Sequence, residues 1–232
     1  MALRKMPDTV QAKDEVGAGI WRRHGLSLAL LGLTLATFVG LIWAGTSATN
    51  GEREAHGEPP LTIGDYVRSP EFVSATFENW ESEFLQMGVF VVLSVVLRQK
   101  GSAESRPLDP AGETGKRFPE ASRPWPVTAG GIWLKLYENS LSLAFFVLFA
   151  LSFVLHLLGS AAQYNDERTQ HGEAPVALSE YLTGSQFWFE SLQNWQSEFL
   201  AVLAIVVLSI HLRQKDSPQS KQVDAPHEHT GH

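Results

Sequence analysis

Two glutamates, Glu83 and Glu198, occupy the same place in two copies of one heptapeptide, Asn-Trp-x-Ser-Glu-Phe-Leu, 115 residues apart. Each opens an apolar run. A carboxylate at membrane depth is costly, and where it occurs it holds a proton or cation, pairs with another helix, or reaches headgroup water. Small polar residues accompany both. Asn79, Ser82, Glu83 and Gln86 fall at i, i+3, i+4 and i+7, which is one helical face. Asn194, Ser197, Glu198 and Ser209 repeat that face, with Ala201 where Gln86 stood and Ser209 matching Ser94. His156 lies fifteen residues into another apolar run. Counted from the basic boundary, the two carboxylates and the imidazole share a level about 22 Å deep. One chemistry is proton or cation binding at a helix-bundle axis. A second is a hydrogen-bonded clamp between helices. A third is a tilt that brings the glutamates to water, with Trp80 and Trp195 as interface anchors. Glu81 matches Gln196 in the second copy, which makes Glu83 and Glu198 the better matched pair.

A second constellation is His56-Gly57-Glu58 with His171-Gly172-Glu173. Two imidazoles and two carboxylates suit a divalent metal such as zinc, or a contact that responds to pH. The plainer reading is a polar turn capping the short helices that follow, near residues 62–67 and 177–182, with Tyr66 and Tyr181 at the interface. The tail carries His227, His229 and His232, read as solvated. Haem is not expected: His156 is deep and His211 lies two residues from Arg213, so the pair cannot serve one haem at one level. No cofactor is expected. The chain has no cysteine, which removes thiolate metal sites and cysteine nucleophiles. It shows no P-loop, Rossmann, Gly-x-Ser-x-Gly or His-Glu-x-x-His motif, and no enzymatic activity is expected.

The elements that must position these residues are helices. Residues 26–45 and 141–162 contain no charge, and about 20 helical residues cross a bilayer core. Residues 84–97 and 199–212 are shorter apolar runs, each preceded by a mixed stretch rich in Phe and Trp. Ser69-Pro70-Glu71 reads as an N-cap, a first-turn proline and a first-turn acid, so a helix from Pro70 to Arg98 would be about 43 Å long. The first run has the look of a signal peptide. The third run occupies the equivalent place mid-chain, which argues against cleavage.

Shifted by 115, the sequence matches itself without a gap, with 32 identities over the 80 positions from Leu26 to Ser105. A tandem duplication of a two-span unit follows. The expected fold is all-α: an integral membrane four-helix bundle with parallel repeats about a pseudo-two-fold axis along the membrane normal, and short amphipathic helices on the outer side. The expected divisions are a tail at 1–20, unit one at 21–105 (spans near 24–45 and 74–98), and a flexible linker at 106–131. Unit two follows at 132–215 (spans near 136–162 and 189–213), then a tail at 216–232.

The averages hide this segregation. The chain has 232 residues, is 44% hydrophobic, and carries a net charge of −7, with a mean hydropathy of −0.06. Fifteen of its 18 Lys and Arg residues fall in the N-terminal tail, the linker region and the C-terminal tail. The positive-inside rule then places both termini and the linker in the cytoplasm. The outer parts, with three basic and 14 acidic residues, are strongly acidic. Nucleic-acid binding is not expected, because no positive surplus is available for phosphates.

The run NGEREAHGEPPLTIGDYVRSPEF, then ENWESEFLQ and LRQKGSAES, resembles a bacterial membrane-protein family known only as a domain of unknown function. The resemblance covers residues 20–105 and 132–220. It implies a four-span protein of the bacterial inner membrane and supplies no catalytic residue or cofactor. The expected role is that of a non-enzymatic accessory or structural membrane protein. The rival is a small proton- or cation-linked channel or transporter using Glu83, Glu198 and His156. A third option is an envelope metal or pH sensor at His56 and His171. The expected partners are the lipid bilayer and either a second copy of the chain or another membrane protein.

Overall fold

The computed structural model describes residues 19–107 and 119–231. The N-terminal tail up to residue 18, the middle of the linker and His232 lie outside the described residues. Among those described there is helix and turn but no strand. They fall into two compact units, divided between Arg68 and Ser69.

The first unit holds α1 (Ile20–Ala55) and the short α2 (Ile63–Tyr66). α1 runs ten residues beyond the expected end of its span. The polar stretch Thr46–Ala55 continues the helix until His56-Gly57-Glu58 stops it. Gly57 takes φ 74, its N–H reaches Glu54 O at 3.0 Å, and Glu58 N–H reaches Arg53 O at 2.8 Å. This is a Schellman C-cap, which needs a left-handed residue and so favours glycine. His-Gly-Glu therefore caps the helix before it, whereas the sequence reading had it cap the helix after it. α2 has its own cap: Thr62 Oγ1 accepts from Asp65 N at 3.2 Å and donates to Asp65 Oδ2 at 2.6 Å. That bond holds the Asp65 carboxyl below its usual range.

The second unit holds α3 (Pro70–Val96), a 3₁₀ turn (Glu120–Ser122), α4 (Trp125–Ala129) and α5 (Gly131–Glu138). It continues with α6 (Ser140–Gln170), α7 (Leu178–Thr183) and α8 (Ser185–His211). α3 starts where its signals say: Ser69 Oγ accepts from Phe72 N at 3.2 Å, and Pro70 opens the helix. Residues 119–138 are thus largely helical, and α5 is a separate element that breaks from α6 at Asn139. α6 ends in a second Schellman cap at Gly172 (φ 74), again at a His-Gly-Glu.

Among the described residues three helices, over Arg23–Ala55, Ser140–Gln170 and Ser185–His211, are long and apolar enough to cross a membrane. α3 matches α8 in length, at 27 residues, and its apolar half lies toward its C-terminus. The main contact of the unit is α3 against α6. Lipid removes the hydrophobic drive between helices, so small residues and polar pairs must supply the packing. Gly159 does so here: a Cβ on it would stand 2.7 Å from Ser74 N and 2.9 Å from Val73 Cγ1. The contact at Gly88 is less tight: a Cβ there would stand 3.3 Å from Phe145 and Phe146. α3 and α8 run parallel, since Glu78, Glu81 and Gln86 meet Asn194, Trp195 and Glu198 in order along both chains. Tyr66 and Tyr181, expected at the interface, are both buried.

The C-terminal segment differs from expectation. Residues 212–231 form successive turns folded onto residues 99–105, instead of an unpacked tail.

Candidate functional site: a buried histidine between two carboxylates

His156, in the middle of α6, is completely buried. Its Nδ1 lies 2.9 Å from Glu81 Oε2 on α3, and its Nε2 lies 3.5 Å from Glu190 Oε2 on α8. One imidazole thus joins three helices. Glu81 is also completely buried, and its second oxygen accepts from the Trp195 indole N–H at 3.0 Å. A buried ionisable pair persists only when its remaining lone pairs are satisfied, and Trp195 meets that requirement. The Trp195 side chain therefore has a polar partner inside the bundle, while Trp80 is exposed.

Glu190 links the cluster to the surface. Its Oε2 accepts from Ser160 Oγ at 2.6 Å and from Tyr181 OH at 3.2 Å. Its Oε1 accepts from Gln186 at 2.7 Å, and Gln186 is exposed. Ser160 and Tyr181 also bond to each other. A third acid, Glu78, accepts a hydrogen bond from Asn194, whose amide also reaches Glu190 O at 3.2 Å. The polar chain is walled by aromatic rings. Phe187, fully buried, stacks at a tilt on the imidazole with ring centroids 5.1 Å apart. Phe153 meets Phe187 edge-on at 5.3 Å, and Trp188 and Trp195 close the wall at 6.2 Å.

The two contacts of the imidazole are unequal. Nδ1 is bonded to Glu81 at ordinary length, whereas 3.5 Å to Glu190 is too long for a good hydrogen bond. Nε2 is therefore buried without a close hydrogen-bond partner, and the carboxylate of Glu190 stands just beyond hydrogen-bond reach of it. The proton occupancy of these coupled groups belongs to the cluster as a whole.

The residues singled out from sequence are placed as follows. Glu83 is exposed and Glu198 half-buried; they lie near enough to interact electrostatically, and neither meets His156. Asn79 bonds back to Ala75 O, Ser82 and Ser197 to the carbonyls of Asn79 and Asn194. His56, Glu58, His171 and Glu173 are exposed. Each histidine donates from Nδ1 to its own helix, at Glu52 O and Glu167 O, both at 2.8 Å. Glu58 and Glu173 pair with Arg53 and Arg168, both at 2.9 Å. The described residues contain no group of three or more His, Asp or Glu side chains arranged to hold a metal.

Glu78, Glu81 and Glu190 were not favoured from sequence. The reason is visible in the 115-residue shift, which pairs them with Gln193, Gln196 and Ala75, and pairs His156 with Leu41. The histidine and the three carboxylates stand where the two copies differ, whereas Asn194, Trp195, Tyr181 and Phe187 match Asn79, Trp80, Tyr66 and Phe72. For Glu78 and Glu81 the informative signal is the exchange of acid for amide between copies, not the acids kept in both.

A family model described as Domain of unknown function (DUF6766) matches residues 17–232. No curated protein and no solved structure matches the chain.

Proposed function

The chain belongs to that family, and we propose its role from the buried cluster itself: a proton-linked, non-enzymatic membrane protein of the bacterial inner membrane. In this reading α3 is a fourth span, both termini are cytoplasmic, and the two copies of the repeat cross the membrane in the same sense. The excess of basic residues in tails and linker supports that orientation. The matching Schellman caps and the matching Asn50 and Asn165 clamps support the repeat. Each Asn holds the chain eleven residues on through a paired side chain–backbone contact, to Leu61 and Val176.

One observation carries the proton-linked role. A fully buried imidazole stands between carboxylates of two other helices, one held tightly and one loosely, with the loose one bonded to an exposed amide. Ionisable groups inside a membrane face the bundle and mark ion or proton routes. The test is the full chain in liposomes under an imposed pH gradient, with a trapped pH dye. Wild-type vesicles should dissipate the gradient faster than empty ones, and Glu81→Gln or His156→Leu should cut that rate at least about tenfold. Wild-type vesicles no leakier than empty ones under either gradient direction would refute it.

A second reading, a clamp that only holds α3, α6 and α8 together, is favoured by Phe187 sealing the imidazole from water. It predicts no flux, and a loss of about 3–5 kcal/mol of stability when either partner of the buried pair is removed.

A further inference from the structure

At their C-terminal ends, away from this cluster, α3 and α8 finish in the same way. Leu97-Arg98-Gln99-Lys100 and Leu212-Arg213-Gln214-Lys215 leave their helices through an extended leucine. Each arginine folds back onto its own last carbonyls, Arg98 onto Ser94 and Val95, Arg213 onto Ser209 and Ile210. Each glutamine N–H then reaches a serine hydroxyl six residues on, at Ser105 and Ser220. Beyond this point the second copy does something of its own.

Lys221 turns inward and is buried, at 2% exposure. Its Nζ donates to Gly101 O at 2.6 Å, His227 O and His229 O at 3.0 Å, Ile210 O at 3.3 Å and Pro226 O at 3.4 Å. Every one of these acceptors is a backbone carbonyl. They come from three places: the loop after α3, the last turn of α8, and the C-terminal segment itself. An ammonium has three protons, so five oxygens around it act as a coordination shell and not as five separate bonds. Carbonyl dipoles that replace a hydration shell are the usual means of holding a bare monovalent cation. The carboxyl end of α8 adds its dipole in the favourable sense. The neighbouring ion pair Lys100–Glu228 is exposed and separate.

The surrounding hydrogen bonds close the segment over this point. Gly101 N donates to Thr230 Oγ1 at 2.9 Å, and Gly231 N donates to Ser102 O at 3.0 Å. Ser102 and Ser209 bond through their hydroxyls at 3.0 Å, joining the α3 loop directly to α8. Arg213 holds the returning segment at Gln222 O and Ala225 O. Gly101 is obligatory: it has φ 84, and a Cβ there would stand 2.5 Å from His227 O.

We propose that residues 221–231 are a strap that latches the ends of α3 and α8 together, and that the carbonyl cage at its centre is a binding site for one small monovalent cation, filled in the resting chain by the Lys221 ammonium. The inference stands on the cage geometry alone and holds whichever reading of the buried cluster is right. Withdrawal of the lysine unlatches the strap, and an ammonium-sized ion in solution relatches it.

The test is hydrogen exchange on the full chain in detergent, read at the amides of Gly101 and Gly231. Lys221→Ala should speed their exchange about tenfold or more. Methylammonium or ammonium chloride should restore most of the protection, while sodium chloride at equal ionic strength should not. Lys221→Met, which fills the space without charge, should exchange fast and show no rescue. Lys100→Ala should behave as wild type. Unchanged exchange in Lys221→Ala would overturn the latch. Fast exchange that no small cation slows would overturn the cage. Fast exchange in Lys100→Ala would overturn the assignment to Lys221.

Discussion

Tyr181 is the one cluster member outside the long helices, and its phenol gives the site a spectroscopic handle. Burial pushes it up to about 12; the charge of Glu190 adds to this and the Ser160 hydrogen bond opposes it. A group that keeps its proton longer in the folded chain than in the unfolded one costs stability as pH rises between the two values. Here that window runs from the ordinary tyrosine range near 10 up to about 12, and below it the group is neutral with respect to pH. An ultraviolet titration should show a late ionisation step near pH 12, and Tyr181→Phe should remove one tyrosine's amplitude from that step. A titration in which Tyr181→Phe removes no late amplitude would contradict the buried placement. The same scale shows what the sequence could not reveal. The face chosen from spacing runs through Asn79, Ser82, Glu83 and Gln86; the helix buries Ser82 and Gln86 of these, together with Ser74, Glu81 and Gly88, and leaves Asn79 and Glu83 exposed. Glu81 and Glu83 are two residues apart, about 200° around the helix. Apolar periodicity is too weak in this mixed stretch to tell which of them faces in.

Among elements, the contact of α3 with α6 depends on a missing side chain. Gly159→Ala should force the helices apart at Ser74 and cost about 1–3 kcal/mol. Gly32→Ala, on α1 with nothing within 4 Å of the new Cβ, should be neutral or stabilise by about 1 kcal/mol. Thermal melting of the two variants in detergent separates them, and equal shifts would count against the close-packed contact. The helices themselves were legible, because uninterrupted apolar length, the Ser69 cap and the proline after it are written in residue types. The C-terminal ends of α1 and α6 were not. The stretches after Gly45 and after Ala162 are polar, yet they stay helical until a glycine can take the left-handed turn. The strap was illegible for a different reason. Its central ligands are backbone carbonyls, which every residue possesses, so no pattern of side chains announces them.

At the scale of the whole molecule, orientation is the open proposal, and the absence of cysteine makes it directly measurable. Single cysteines at Glu58 and Glu173 should react with an impermeant maleimide added outside intact cells. Those at Lys135 and Gln219 should react only after permeabilisation. All four are exposed, so accessibility within the fold does not confound the result. Labelling of Glu58→Cys from one side and Glu173→Cys from the other would contradict two units crossing in the same sense.

The unequal pairing of Glu78 with Gln193 and Glu81 with Gln196 sets a count. An assembly of two identical chains must carry every residue on both sides of its axis, and so must carry its proton sites in pairs. A single chain with two copies is free of that rule. Glutamine does not titrate, and Gln193 and Gln196 are exposed where Glu78 and Glu81 are half-buried and buried, so the second copy forgoes both the charge and the inward contact. On the proton-linked proposal the stoichiometry is one imidazole-centred site among the described residues of each chain, a whole number that a calorimetric proton inventory can read.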